Sequence, residues 1–204
     1  MANPTQVAFY FNQDRCVGCR ACEGACKQEN NLPVEVRYRR VIFKESGLYP
    51  KVHRTFASIA CNHCVEPACM KACPVNAIRK RKKDGIVLIN QKKCIGCRRC
   101  EFACPYGAPQ YNPHTKKVEK CHYCVHRIDR KDVDPDPMQD ALNHMPACVV
   151  TCMGLALFSA KLSDLDAGNL PDNISDPHLS KKVPDFPDPR LTDPAIRFTL
   201  AKNV

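Results

Sequence analysis

Residues 94–112 read CIGCRRCEFACPYGAPQYN, and the fold turns on what its cysteines bind. Cys94, Cys97, Cys100 and Cys104 fall within eleven residues, and Pro105 follows the last of them. Nearly the same pattern stands at 16–26, CVGCRACEGAC, where Cys16, Cys19, Cys22 and Cys26 have no proline behind them. Two looser quartets complete a set of sixteen: Cys61, Cys64, Cys69 and Cys73, followed by Pro74, and Cys121, Cys124, Cys148 and Cys152.

Three chemistries use cysteine at such density. Disulfides fit poorly, because thiols two residues apart offer several equivalent small-loop partners and stabilise little. Structural zinc takes two CxxC pairs a dozen or more residues apart. Cys121, Cys124 and Cys148 pass as part of such a site, but a C-x-x-C-x-x-C triplet delivers three thiolates from one short loop. Iron–sulfur chemistry uses that triplet directly, since one loop reaches three corners of a cubane. The fourth cysteine lies four residues on, about 6 Å along a helix axis, and points elsewhere. It therefore serves a second cluster, as in two-cluster bacterial ferredoxins with C-x2-C-x2-C-x3-C-P.

The remaining composition agrees. With 7% aromatic residues, no Trp and 17 Pro among 204 residues, few bulky groups are available for an interior, so metal coordination has to replace burial. Sixteen thiols divide into four 4Fe–4S clusters with none left over. Each cubane with four thiolates carries about −2, so four contribute roughly −8 against the formal +10. The basic excess is then counter-charge, and nucleic-acid binding is not implied. No stretch approaches the roughly eighteen apolar residues that span a bilayer, and no signal pattern opens the sequence. Thiols free to bind metal suit a reducing compartment. Nothing resembles a nucleophile–base pair, a phosphate-cradling loop or a small-molecule substrate pocket.

The swap rule sorts the ligands. The second and third quartets lie close together and both end in Cys-Pro, so they pair: Cys61, Cys64 and Cys69 with Cys104, and Cys94, Cys97 and Cys100 with Cys73. The outer quartets then pair across the sequence: Cys16, Cys19 and Cys22 with Cys152, and Cys121, Cys124 and Cys148 with Cys26. The expected fold is α+β, two nested ferredoxin-like two-cluster units rich in loops. The outer unit takes residues 1–53 and 112–162, and the inner unit takes 54–111. VAFYF (7–11) reads as a strand, ACEGACKQEN (21–30) as a helix, AIRKRKKDGIVLIN (77–90) as a hairpin with an Asp-Gly turn, and LALFSA (155–160) as a strand. Residues 163–204, with PDFPDPRLTDP, read as an extended Pro/Asp-rich tail without a core of its own, either disordered or wrapped over a partner subunit.

CNHC…PAC…CP at 61–74 and CIGCRRCEFACPYGAPQYN at 94–112 resemble the four-cluster electron-transfer subunits of the dimethyl sulfoxide reductase type, which include those of polysulfide, thiosulfate, tetrathionate and nitrate reductases. The resemblance covers roughly residues 6–160. It implies a non-catalytic subunit placed between a molybdenum- or tungsten-pterin catalytic subunit and a quinol-linked membrane subunit, in a peripheral membrane complex whose side stays open. It also implies a cluster order, from the site of Cys16 at the catalytic subunit, through those of Cys26 and Cys61, to that of Cys73 near the membrane. Where nitrate reductases have Trp and a three-iron cluster, this chain has Cys97, which implies four irons. Two departures stand out: Met153 follows Cys152 where the family often has proline, and residues 132–146 form an insert without an assigned partner. A formate dehydrogenase or hydrogenase subunit, or a free polyferredoxin, are the alternatives.

Several polar residues sit beside the thiols. His63 and His122 lie within CxxC loops and are expected to hydrogen-bond rather than ligate, since cysteines already suffice. Lys27, Arg98 and Arg99 flank ligands and either raise cluster potentials or are simply solvated. Arg79–Lys83, RKRKK, is either a solvated hairpin face or a surface for anionic lipid or a membrane subunit.

Overall fold

An apolar strand such as Val7–Asn12 is stable only where both of its faces are covered. The computed structural model, which describes residues 3–171 and 179–201, puts that strand, β1, inside the central sheet. β8 (Leu157–Lys161) pairs with it antiparallel, from Val7↔Lys161 to Phe11↔Leu157. β10 (Ile196–Thr199) pairs with it parallel on the other side, from Phe9↔Ile196 to Asn12↔Thr199, and β9 (Leu179–Ser180) lies beyond β10. Alternation sorts the side chains. Phe9 and Phe11 enter a core shared with Cys22, Cys61, Cys121 and Cys148, whereas Ala8 and Tyr10 pack on Leu162 and Leu165 of α7 (Leu162–Asp166).

Each step from one cysteine quartet to the next crosses an antiparallel hairpin. β2 (Arg40–Leu48) and β3 (Lys51–Ile59) separate the first two quartets. β4 (Ile78–Lys80) and β5 (Val87–Ile89) separate the second from the third, and β6 (Gln110–Asn112) and β7 (Lys117–Glu119) the third from the fourth. Short helices carry thiols between them: Cys22 and Cys26 on α1 (Ala21–Glu29), Cys69 on α2 (Ala68–Lys71) and Cys100 on α3 (Arg99–Ala103). Cys124 precedes α4 (Val125–Ile128), and after α5 (Pro137–Asn143) α6 (Ala147–Val150) carries Cys148. Helix α1 packs on α6, and α2 on α3.

The strand at 7–11, the helix at 21–30, the hairpin within 77–90 and the strand at 155–160 are all present, within two residues of their expected limits. Two of the expected unit limits meet hairpin strands. A cut between 53 and 54 falls inside β3, whose register with β2 is continuous, and one between 111 and 112 falls inside β6. The segment after 163 has no core of its own, and its strand β10 completes the central sheet. Phe198, 2% exposed, packs on Phe11 and Phe186 with ring centroids 6.2 and 5.9 Å away, and Arg197 donates to Asp166 at 2.6 and 2.9 Å. The Pro/Asp composition conceals a four-residue β-forming run, Ile-Arg-Phe-Thr. Residues 172–178 and 202–204 of that segment lie outside the described residues.

Phe198→Ala is expected to cost about 3–5 kcal/mol, read as a lowered Tm of the iron-loaded protein. A strand peripheral to the fold would give no shift.

Candidate metal centres

The same backbone device recurs in all four CxxC loops. The residue before the second cysteine has positive φ in each: Gly18 at 69°, His63 at 43°, Gly96 at 71° and Tyr123 at 62°. In the first and third loops the residue after that cysteine repeats the turn, Arg20 at 61° and Arg98 at 60°. Such turns aim successive backbone N–H groups into one concavity, which suits an anion. Glycine is required at Gly96, where a Cβ would collide with the carbonyl oxygen of Lys116, a backbone atom that cannot give way. His63 and Tyr123 are held in the left-handed region by their packing. His63 Nδ1 accepts from the Val87 N–H at 3.0 Å, and the Tyr123 hydroxyl donates to the Ala8 carbonyl at 2.8 Å.

These loops gather the thiols in groups. Cys16, Cys19, Cys22 and Cys152 line one cavity. Cys61, Cys64, Cys69 and Cys104 line a second, and Cys73, Cys94, Cys97 and Cys100 a third. Cys26, Cys121, Cys124 and Cys148 lie within electrostatic reach of one another. None of the sixteen thiols is disulfide-bonded. Among the described residues no three or more His, Cys, Asp or Glu side chains form a site for a single metal ion. The thiols surround a volume rather than a point, which fits a polynuclear cluster.

Burial pushes the thiols of Cys26, Cys64 and Cys69 up to about 12, and those of Cys100 and Cys124 up to about 11. They ionise only when a cation displaces the proton, so metal loading releases protons. Backbone amides stand ready for the resulting charge. The N–H of Ala77 lies 3.2 Å from Cys73 Sγ, that of Ala156 3.3 Å from Cys152 Sγ, and that of Tyr123 3.4 Å from Cys121 Sγ. Ala108 does the same for Cys104, and the Asn30 side chain approaches Cys26 Sγ at 3.7 Å. The partner of the fourth cysteine is therefore residue i+4 in every quartet. Met153 does not disturb this, since Cys152 meets Ala156 as Cys73 meets Ala77.

The charges near the thiols are not those their sequence positions suggest. Lys27 donates to the carbonyls of Pro33, Val34 and Val36 at 2.6–3.2 Å, fastening the segment after α1. Arg98 is exposed and paired with Glu101, and Arg99 is exposed. The two cations buried beside thiols are Arg39 and Lys120, 2% and 4% exposed. Arg39 is hidden in the ordinary-looking run VRYRR, whereas Lys120 adjoins Cys121 and meets the same flanking criterion as Lys27. His122 is neutral, its pKa lowered to about 4 by burial and by His126 and Lys120. Within RKRKK, Lys80 donates to the Cys64 carbonyl, Arg81 pairs with Asp84 and Asp129, and Lys83 with Asp129. Much of that run is thus committed internally. The 132–146 insert also has an internal partner. Arg127 donates to the carbonyls of Leu142 and Met145 at 3.0 and 2.8 Å and pairs with Glu29 of α1 at 3.0 Å.

Comparison with known proteins agrees with this geometry. Residues 52–161 match the 4Fe-4S dicluster domain, and residues 9–29 match the 4Fe-4S binding domain. A component of the anaerobic dimethyl sulfoxide reductase of Haemophilus influenzae is 37% identical, covering 78% of this chain and 76% of its own length. The chain thus belongs to the iron–sulfur subunits of the dimethyl sulfoxide reductase type. Other similar proteins are a subunit of the sulfite dehydrogenase of Allochromatium vinosum, 33% identical over 80% of this chain and 72% of its own, and a subunit of the selenate reductase of Mesobacillus selenatarsenatis, 34% identical over 79% and 62%. As a member of this family the chain carries multiple 4Fe–4S clusters and transfers electrons without bond chemistry of its own. Among the described residues no helix is long and apolar enough to cross a membrane.

Gly96→Ala is expected to lower bound iron by about one cluster of the set while leaving the other sites filled, as read by iron analysis and EPR. Full iron content in that variant would show that the left-handed turn is dispensable.

Proposed function

We propose that the chain relays electrons through four 4Fe–4S sites. Cys16, Cys19, Cys22 and Cys152 form the first site, and Cys26, Cys121, Cys124 and Cys148 the second. Cys61, Cys64, Cys69 and Cys104 form the third, and Cys73, Cys94, Cys97 and Cys100 the fourth. When bound, the clusters supply one-electron carriers with potentials between about −700 and +450 mV, set by hydrogen bonds, charge and burial. On this reading the first and second sites belong to an outer ferredoxin-like unit, and the third and fourth to an inner one. The packing of α1 on α6 and of α2 on α3 supports that nesting.

The residues that set the path lie in a series of neighbours. Cys22 is near Cys148, and Cys121 is near Cys61. Helix α2 carries Cys69 of the third site and leads into Cys73 of the fourth. The observation that carries the reading is where thiols reach the surface. Of the sixteen, only Cys19 and Cys97 are exposed, and they belong to the first and last sites of this series. Electrons enter and leave at those ends. Loops around the first site expose Val17, Met153 and Leu155, and loops around the fourth expose Ile95 and Phe102, apolar side chains of the kind a partner covers. The partners proposed are a molybdenum- or tungsten-pterin catalytic subunit at the Cys19 end and a quinol-linked membrane subunit at the Cys97 end, in a peripheral membrane complex.

Protein purified without oxygen is expected to be brown and to hold about sixteen irons per chain. Cys104→Ala then tests the sharing of ligands between loops. It removes the EPR signal of the Cys61, Cys64 and Cys69 site and spares that of Cys94, Cys97 and Cys100. Loss of the latter signal instead would mean that each loop keeps its own fourth cysteine.

A further inference from the structure

A buried cation needs a partner, because the interior screens charge weakly and solvates it poorly. Arg39 has no carboxylate within ion-pair distance among the described residues. Its Nη1 donates to the carbonyl and hydroxyl oxygens of Ser58 at 3.3 and 3.0 Å, and its guanidinium carbon stands 4.4 Å over the Phe9 ring. Nε and Nη2 have no protein acceptor. The groups near it that can carry negative charge are thiols of two sites: Cys22 of the first, and Cys26, Cys121 and Cys148 of the second. Ser58 extends the contact, its hydroxyl lying 3.4 Å from Cys22 Sγ.

Lys120 occupies the equivalent place one site further on. Its Nζ donates to the Cys121 carbonyl at 3.0 Å and to the Val87 carbonyl, and its side chain lines the cavity of Cys61, Cys64, Cys69 and Cys104. Between the third and fourth sites stands Val87, which lines the third cavity and packs with Cys69 and Cys100. The only other buried Lys or Arg among the described residues, Arg197, is bound to Asp166.

We propose that Arg39 and Lys120 are fixed counter-cations set between successive sites of the relay, Arg39 between the first and second and Lys120 between the second and third. Their positive charge favours reduction of the flanking sites and offsets the repulsion between neighbouring reduced sites. Both are positioning residues that act through potential. The inference rests on the four-site reading.

The test is an EPR-monitored redox titration of the full-length iron-loaded chain, with signals assigned site by site using ligand variants such as Cys104→Ala. Arg39→Gln is expected to lower the equilibrium constant for reduction of the first and second sites at least tenfold, about 59 mV for a one-electron couple, and to leave the fourth unmoved. Arg39→Lys, which keeps the charge, stays near the unsubstituted protein. Lys120→Gln lowers the third site and spares the first. Unshifted potentials in both neutral variants with iron retained overturn the proposal, as does an equal fall at all four sites. Loss of iron from both variants overturns it as well, because the residues would then be needed for assembly rather than for potential. If only one variant loses iron, the other decides. Fewer than four one-electron couples in the unsubstituted protein defeats the four-site reading itself.

Discussion

The structure depends on bringing together thiols that are distant in sequence. Cys152 faces Cys16 and Cys22 across 130 residues or more, and Cys104 faces Cys61. Each such junction closes a long loop, a cost in conformational entropy that a thin apolar core could not offset. Coordination supplies what burial lacks, and the hairpins between quartets are spacers whose lengths bring the loops into register. The sheet of β1, β8 and β10 supplies a hydrophobic core that lies against Cys22, Cys61, Cys121 and Cys148.

The electrostatics follow from the same constraint. Burial holds Cys26, Cys64 and Cys69 protonated up to about 12 in the absence of metal, so these thiols are poised for a cation and poorly suited to stand as free thiolates. Positive-φ turns recur at Gly18, His63, Gly96 and Tyr123, and the i+4 amides at Ala77 and Ala156 approach the fourth sulfurs. Local dipoles satisfy the ligands, while Arg39 and Lys120 act over a longer range.

The thiol spacing was the most legible part of the sequence, because C-x-x-C-x-x-C with a fourth cysteine four residues on admits little but a shared cubane geometry. The apolar run Val7–Phe11 and the Asp84-Gly85 turn were legible for similar reasons, each being a short local signal with one stable outcome. Strand β10 was not, because Ile196–Thr199 is four residues set within a Pro- and Asp-rich segment, and its partner β1 is nearly 190 positions away. The β2–β3 hairpin was missed although VIF and VHRTF carry β-forming residues, since no tight two-residue turn signal joins them. Arg39 was illegible in principle. Nothing in VRYRR distinguishes the one arginine that folds inward, because its burial depends on Phe9 and Ser58, which lie elsewhere in the sequence.

Anomalous scattering at the iron edge, from crystals grown without oxygen, bears most directly on the shared-thiol arrangement. The account predicts four compact groups of iron, each bounded by three sulfurs from one quartet and one from another, with Cys152, Cys26, Cys104 and Cys73 as the single ones. Iron bounded by the four cysteines of a single quartet, or anomalous signal at the zinc edge in place of iron, would contradict it.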